Sequence, residues 1–157
     1  LNNGYKITVI DNLKYSKDSV DHLMANKDFN LIISDVRDTK VLKKIINKFD
    51  LIIPLAALVG APLCDKFPKL AKELNEDHIS FILENIGKKQ KIIYLNSNSG
   101  YGIGKKNKFC DEKSPLKPIS LYGRTKVEAE KIILRHMNHG KIFGLIIIWK
   151  IENLSKD

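Results

Sequence analysis

The sequence predicts an α/β fold, a doubly wound parallel sheet in one domain. Short runs that are apolar throughout, such as NLIISD at 30–35 and KIFGLIIIW at 141–149, read as strands buried on both faces. Segments with apolar residues at helical spacing separate these runs one by one, the rhythm of β-α-β crossovers. A length of 157 residues, 43% of them hydrophobic, suffices for a single core.

Taken in order, KITVID (6–11) is the first strand, and a helix near 17–26 leads to the second, NLIISD. VLKKIINKF (41–49) has helical period, and DLIIPLAA (50–57) is the third strand. A helix from about 68 to 87 precedes KIIYLNS (91–97), a fourth strand. The next helix opens within PISLYGRTKVEAEKIILRHM (118–137). It is the clearest element, because Val127, Ala129, Ile132, Ile133 and Met137 share one face and no Pro or Gly interrupts 124–139 before Gly140 stops it. KIFGLIIIW is the fifth strand.

Composition narrows the function classes. The formal charge of +9 raises nucleic acid as a partner, yet 24 of the 27 cations are Lys and only three are Arg, the residue suited to bidentate phosphate and base contacts. The densest clusters, Lys88, Lys89 and Lys91, then Lys105, Lys106 and Lys108, alternate with no aromatic stacking platform, so nucleic-acid binding is disfavoured. Cys64 and Cys110 lie far apart without CxxC spacing, and His22, His78, His136 and His139 have no ligand spacing. No metal site is expected, and a reduced, cytoplasmic setting fits. No signal peptide or bilayer-length apolar run occurs, so no membrane partner is expected.

In doubly wound sheets ligands bind beyond the carboxyl ends of the strands, which here are Asp11, Asp35, the Ala56–Ala57 pair and Ser97. An acid ending a strand, as in VIDN, can accept both hydroxyls of an adenosine ribose and repels a 2′-phosphate, which favours NAD over NADP; as a plain helix N-cap it would have no such role. NSNSGYG at 96–102 brings hydroxyls and glycines to the end of a buried strand, and the small residues of LAAL at 55–58 admit close approach to a ligand. Tyr122 and Lys126 stand four apart, so both side chains leave one face of the helix, where the ammonium favours the phenolate needed for proton transfer. About one such pair is expected by chance with five Tyr and 24 Lys, and Tyr101 with Lys105 is a second.

In this order and spacing, the motifs resemble the extended short-chain dehydrogenase/reductase family, in its NAD-dependent epimerase/dehydratase branch that acts on nucleotide sugars. The resemblance covers Leu1 to about Leu145, with 146–157 a divergent tail. VIDNL looks like the ribose-binding strand end, with Asp11 and Asn12; SDV like the adenine-contacting Asp35 and Val36; LIIPLAAL like the HLAA segment, with Leu55, Ala56 and Ala57. The resemblance implies a Rossmann-like fold and a catalytic set of Ser97, Tyr122 and Lys126. Tyr122 would move a proton at a sugar hydroxyl, Ser97 would bond the reacting oxygen, and Lys126 would bind the nicotinamide ribose. Asn75 falls where the family carries a cofactor-side Asn. A nucleotide sugar is the implied substrate, with a homodimer one assembly open to a longer parent.

Departures from the pattern refine this. Pro54 replaces the family's His, and Asn98 and Ser99 stand where dehydratases carry Asp-Glu, so an epimerase or related reductase is preferred to a dehydratase. A dinucleotide glycine fingerprint lies some 20 residues before the ribose-binding acid, and counting back from Asp11 runs off the chain. The expectation is therefore a single partial domain over 1–157, lacking the first strand, its glycine-rich loop and the substrate-binding portion. Such a chain would bind NAD weakly, turn over little alone, and present unpaired edges where the central strand belongs. The alternative is a non-catalytic Rossmann-like binding or regulatory module.

Overall fold

A computed structural model describes residues 1–16, 18–104, 110–111 and 113–138, together with the backbone of 143–149. The predicted stop at Gly140, Lys105 of the second Tyr/Lys pair and most of the tail lie outside the described residues. Among the described residues five strands form: β1 (Ile7–Asp11), β2 (Phe29–Ile33), β3 (Leu51–Ile52), β4 (Lys91–Ser97) and β5 (Phe143–Trp149). The α-helices among the described residues are α1 (Thr39–Ile45), α2 (Ala61–Lys66), α3 (Pro68–Lys72), α4 (His78–Asn85) and α5 (Leu121–Asn138).

All pairings are parallel, as the uniformly apolar strands predict, but the strands form two sheets. One has the order β1-β2 and the other β3-β4-β5. In a doubly wound sheet of order 3-2-1-4-5-6 these orders match the 3-2 and 4-5-6 blocks.

The core lies where α4, α5 and the turn after α1 pack around β4. Ile46, Ile79, Ile82, Leu83, Ile92, Tyr94, Ala129 and Ile133 form one buried cluster, in which each isoleucine contributes about 1.5–3 kcal/mol by leaving water. β4 alternates into it with Ile92, Tyr94 and Asn96 buried. Asp38 caps α1 by accepting from the backbone N–H groups of Lys40 and Val41 at 3.0 and 3.2 Å. Gln90, just before β4, donates to the carbonyls of Ile46 and Phe49 and ties the end of α1 to the second sheet.

Two sequence expectations are corrected. The helix near 17–26 is a single 3-10 turn, Asp21–Leu23, because its short polar residues bond locally: Ser19 donates to the Ser16 carbonyl and Asn26 accepts from Asp28 N–H. The strand at 50–57 has only two ladder residues. Lys91 N–H donates to the Asp50 carbonyl, so Asp50, Ile52 and then residue 54 point toward β4, and Pro54 has no N–H to continue the ladder. The helix expected over about 68–87 runs without a break from Pro68 to Asn85, with a π turn at Glu73–Asp77 between α3 and α4.

Candidate functional site

The site is built at the junction of α5 with the end of β4. Ser120 starts α5, its Oγ accepting from Gly123 N–H at 3.0 Å. Gly123 allows the helix to press against the loop after β4, since a Cβ there would lie 2.6 Å from the Ser99 carbonyl oxygen. That loop is ordered by Ser97, whose Oγ accepts from Ser99 N–H at 3.2 Å and bonds the Ser99 hydroxyl at 3.0 Å. Tyr122 is therefore carried, one residue before Gly123, to the loop that bears Ser97. Its ring packs against the cluster of Leu58, Cys64 and Ala71.

Lys126, one turn later, is buried. Its ammonium donates to the Leu95 carbonyl at 2.7 Å and lies 4.0 Å from the centroid of the Tyr94 ring. Burial pushes its pKa from the ordinary 10.5 down to about 8, and among the described residues it forms no ion pair. The tyrosine beneath it is buried with an unpartnered hydroxyl, and burial raises its pKa. Beyond it, Asn96 donates to Glu130, whose carboxyl is pushed up by burial.

Asn75 is almost wholly enclosed, and all its polar atoms are used internally. Its Oδ1 accepts from Leu58 N–H at 2.8 Å, while its Nδ2 donates to the Leu58 carbonyl at 2.9 Å and to Thr125 Oγ1 at 3.1 Å. It clamps the backbone after Leu55, Ala56 and Ala57 onto α5, so it shapes the site through its neighbours. Sequence reasoning singled out the Asn and missed Thr125, whose position three after Tyr122 on α5 was the available signal.

At the other end, Asp11 is exposed at the carboxyl end of β1 and accepts from Leu13 N–H; Asn12 likewise accepts from Lys14 N–H. Asp35 is held by Arg37, which donates from Nε and Nη2 to its two oxygens at 2.9 and 2.8 Å and reaches Glu73 through Nη1 at 2.8 Å. The Arg37 hydrogen bond holds the Asp35 carboxyl well below the usual range despite opposing desolvation. Glu73 precedes Asn75 by two residues, so this bridge links the loop after β2 to the helices beside the second sheet. Neither Arg37 nor Glu73 was found from sequence; a long-range ion pair leaves no spacing signature.

A cavity of about 500 Å³ opens beside Asp35, lined also by Val36, Thr39, Asp77, His78 and Phe81. His78 is buried with neither ring nitrogen hydrogen-bonded; the Leu74 carbonyl one turn earlier is near without good bonding geometry. Burial lowers its pKa from 6.5 to about 4 and nearby Lys126 adds to the effect, while Asp35 and Asp77 oppose it. Between pH 6.5 and 4 the unfolded chain therefore binds a proton that the folded chain does not, and stability falls on acidification. Thermal melts over this window should show the fall, and His78→Leu should flatten it; an unchanged slope would contradict the assignment.

Comparison with known proteins gives a consistent picture. The model of the NAD dependent epimerase/dehydratase family matches residues 1–150. UDP-glucose 4-epimerase 4 of Oryza sativa subsp. japonica is 31% identical over 160 residues, 96% of this chain and 43% of that protein. UDP-glucose 4-epimerase GEPI48 of Cyamopsis tetragonoloba is 30% identical, over 82% of this chain and 39% of that protein. The structure of the UDP-Glc/GlcNAc 4-epimerase from Campylobacter jejuni superposes with a TM-score of 0.83 at 24% identity, covering 94% of this chain and 46% of the other. The UDP-glucuronic acid 4-epimerase from Bacillus cereus in complex with NAD gives 0.75 at 25% identity, covering 92% and 48%. The chain thus spans under half the length of these relatives.

Proposed function

The chain belongs to the NAD dependent epimerase/dehydratase family, and from this premise we propose that residues 1–157 carry the oxidation-reduction centre of a nucleotide-sugar epimerase using NAD. The observation that supports this most is the convergence of Tyr122 and Lys126 with Ser97, through the contact of Gly123 with the Ser99 backbone and the anchoring of Lys126 on Leu95.

The residues fit the adenosine end of a dinucleotide. Asp11, exposed after β1, can accept a ribose diol, and the cavity beside Asp35 has in His78 two ring nitrogens without partners of their own. When bound, NAD supplies the acceptor and return donor for one hydride at a sugar carbon. The chain's own part is to move the proton. Tyr122 takes it from the hydroxyl on that carbon and returns it, while Ser97 Oγ bonds the same oxygen and holds it still. Lys126 supplies a fixed positive charge one turn from Tyr122 and also locks α5 on β4. Asn75 holds the Leu58 backbone so that the segment from Leu55 to Ala57 keeps its course past the site.

The test is a chimera in which residues 1–157 replace the matching segment of the rice UDP-glucose 4-epimerase 4. It should bind NAD in preference to NADP and interconvert a UDP-sugar pair. A carboxylate accepting from a diol contributes about 1.5–3 kcal/mol, so Asp11→Ser should weaken NAD binding by roughly tenfold to a hundredfold and narrow the preference over NADP. An Asp11→Ser chimera with unchanged NAD affinity and preference would remove Asp11 from the cofactor site.

A further inference from the structure

Tyr122, Lys126 and Glu130 follow one another at intervals of four along α5, so the lysine stands between a phenol one turn before it and a carboxyl one turn after it. Of the two, the carboxylate is the stronger acceptor for an ammonium. The same spacing gives ion pairs in the preceding helices, Lys69 with Glu73 at 3.9 Å and Lys72 with Glu76 at 3.4 Å. Among the described residues no such pair joins Lys126 and Glu130, although both are withdrawn from solvent and share a face.

Consecutive residues of β4 keep the two apart. The Leu95 carbonyl takes the Lys126 ammonium at 2.7 Å, and Asn96, next in the strand and buried, donates from Nδ2 to Glu130 Oε2. The Oδ1 of Asn96 accepts from Ser97 N–H at 2.8 Å. With its oxygen spent on Ser97, the carboxamide presents only N–H donors to α5, which hold a carboxylate and do not attract an ammonium. The other titratable side chains about Lys126 are His78 on α4, Tyr94 on β4 and Tyr122 on α5, and none is a carboxylate. β5, paired to β4, has no titratable residue in its sequence. Burial accordingly lowers the Lys126 pKa with no carboxylate to offset it.

We propose that Asn96 is a positioning residue that holds Glu130 away from Lys126, so that the ammonium keeps no counter-ion and its charge serves the Tyr122 side of the stripe. The assignment rests on the reading of Tyr122 and Lys126 as parts of the oxidation-reduction centre. Asn96 acts through Lys126 and not on a reacting atom. Without the carboxamide, the Glu130 side chain is one helical turn from the lysine and free to close on it. The resulting ion pair would raise the lysine pKa and spend the charge that Tyr122 needs.

The test reads the lysine directly, in the 157-residue chain labelled with carbon-13 at lysine Cε, where the Lys126 signal is the one absent from Lys126→Met. In the parent chain it should titrate near 8. Asn96→Ser, whose shorter side chain gives up the bond to Glu130, should raise that point by about one pH unit or more. Adding Glu130→Gln, which has no charge to offer, should bring it back to within about 0.3 of the parent. Glu130→Gln alone, which preserves side-chain shape and gives a reading even where Asn96→Ser does not fold, should likewise leave it within about 0.3. A smaller rise in Asn96→Ser, or a rise that persists in the double variant, would overturn the proposal. So would a larger fall in Glu130→Gln alone, which would mean that the carboxylate already serves the lysine. The titration needs neither cofactor nor turnover, so an inactive chimera would count against the epimerase reading and leave this result standing.

Discussion

Tyr122→Phe in the rice chimera is expected to lower turnover by about 10²- to 10⁴-fold, the usual contribution of a positioned proton-transfer group. NAD affinity should stay within about twofold, because a hydroxyl used only in the transition state adds nothing to cofactor binding. The fold should be unaffected, since the part of Tyr122 that packs against Leu58, Cys64 and Ala71 is the ring, which phenylalanine retains. Steady-state kinetics with direct titration of NAD separate the two effects. Turnover near that of the unsubstituted chimera would transfer attention to Tyr101, which is buried in the turn just after Ser97 and Asn98.

Lys126→Met is expected to do the opposite to stability of what it does to activity. A buried ammonium whose pKa falls from 10.5 to about 8 is disfavoured in the folded state at neutral pH by on the order of 3 kcal/mol. Methionine keeps the unbranched stem and leaves the Leu95 carbonyl without its donor, a loss of about 1 kcal/mol. The difference predicts a chain more stable by about 2 kcal/mol below pH 8. As pH rises from about 8 toward 10.5 the lysine of the folded chain is already neutral while that of the unfolded chain is still charged. The parent chain therefore gains stability over this window, and the advantage of Lys126→Met shrinks. Denaturant titrations at pH 7 and pH 10 would measure both. A destabilised variant at pH 7 would mean that the contacts to Leu95 and Tyr94 outweigh desolvation. A stabilised but inactive variant would mark a residue retained for function against its cost to the fold.

Much of this architecture was legible because it rests on local periodicity. KIIYLNS matches β4 residue for residue, and the helical face of Val127, Ala129 and Ile133 gave α5 within a few residues of its bounds. Asp11 at a strand end and the Tyr122–Lys126 turn were readable for the same reason. What escaped depends on long-range or competing local bonds. The segment around DHL has helical spacing, but neighbouring Ser19 and Asn26 side chains bond the local backbone instead. β3 looked eight residues long because hydropathy does not register which edge Pro54 turns toward. Nothing in the spacing of Lys126 foretold its contacts with the Leu95 carbonyl and the Tyr94 ring. The Arg37 bridge joins residues 36 apart from Glu73 and could not be seen without the fold.

The central claim, that Ser97, Tyr122 and Lys126 serve an oxidation and re-reduction at one sugar carbon, is tested most directly by running the chimera on UDP-glucose in deuterium oxide. The account predicts interconversion of the C4 epimers with no solvent deuterium at C4, because the hydrogen leaves and returns as hydride without meeting water, and predicts loss of that interconversion in Tyr122→Phe. Incorporation of deuterium at C4 would mean that the proton is abstracted from carbon, and a folded, NAD-binding chimera that leaves UDP-glucose unchanged would mean that this junction does not perform the reaction.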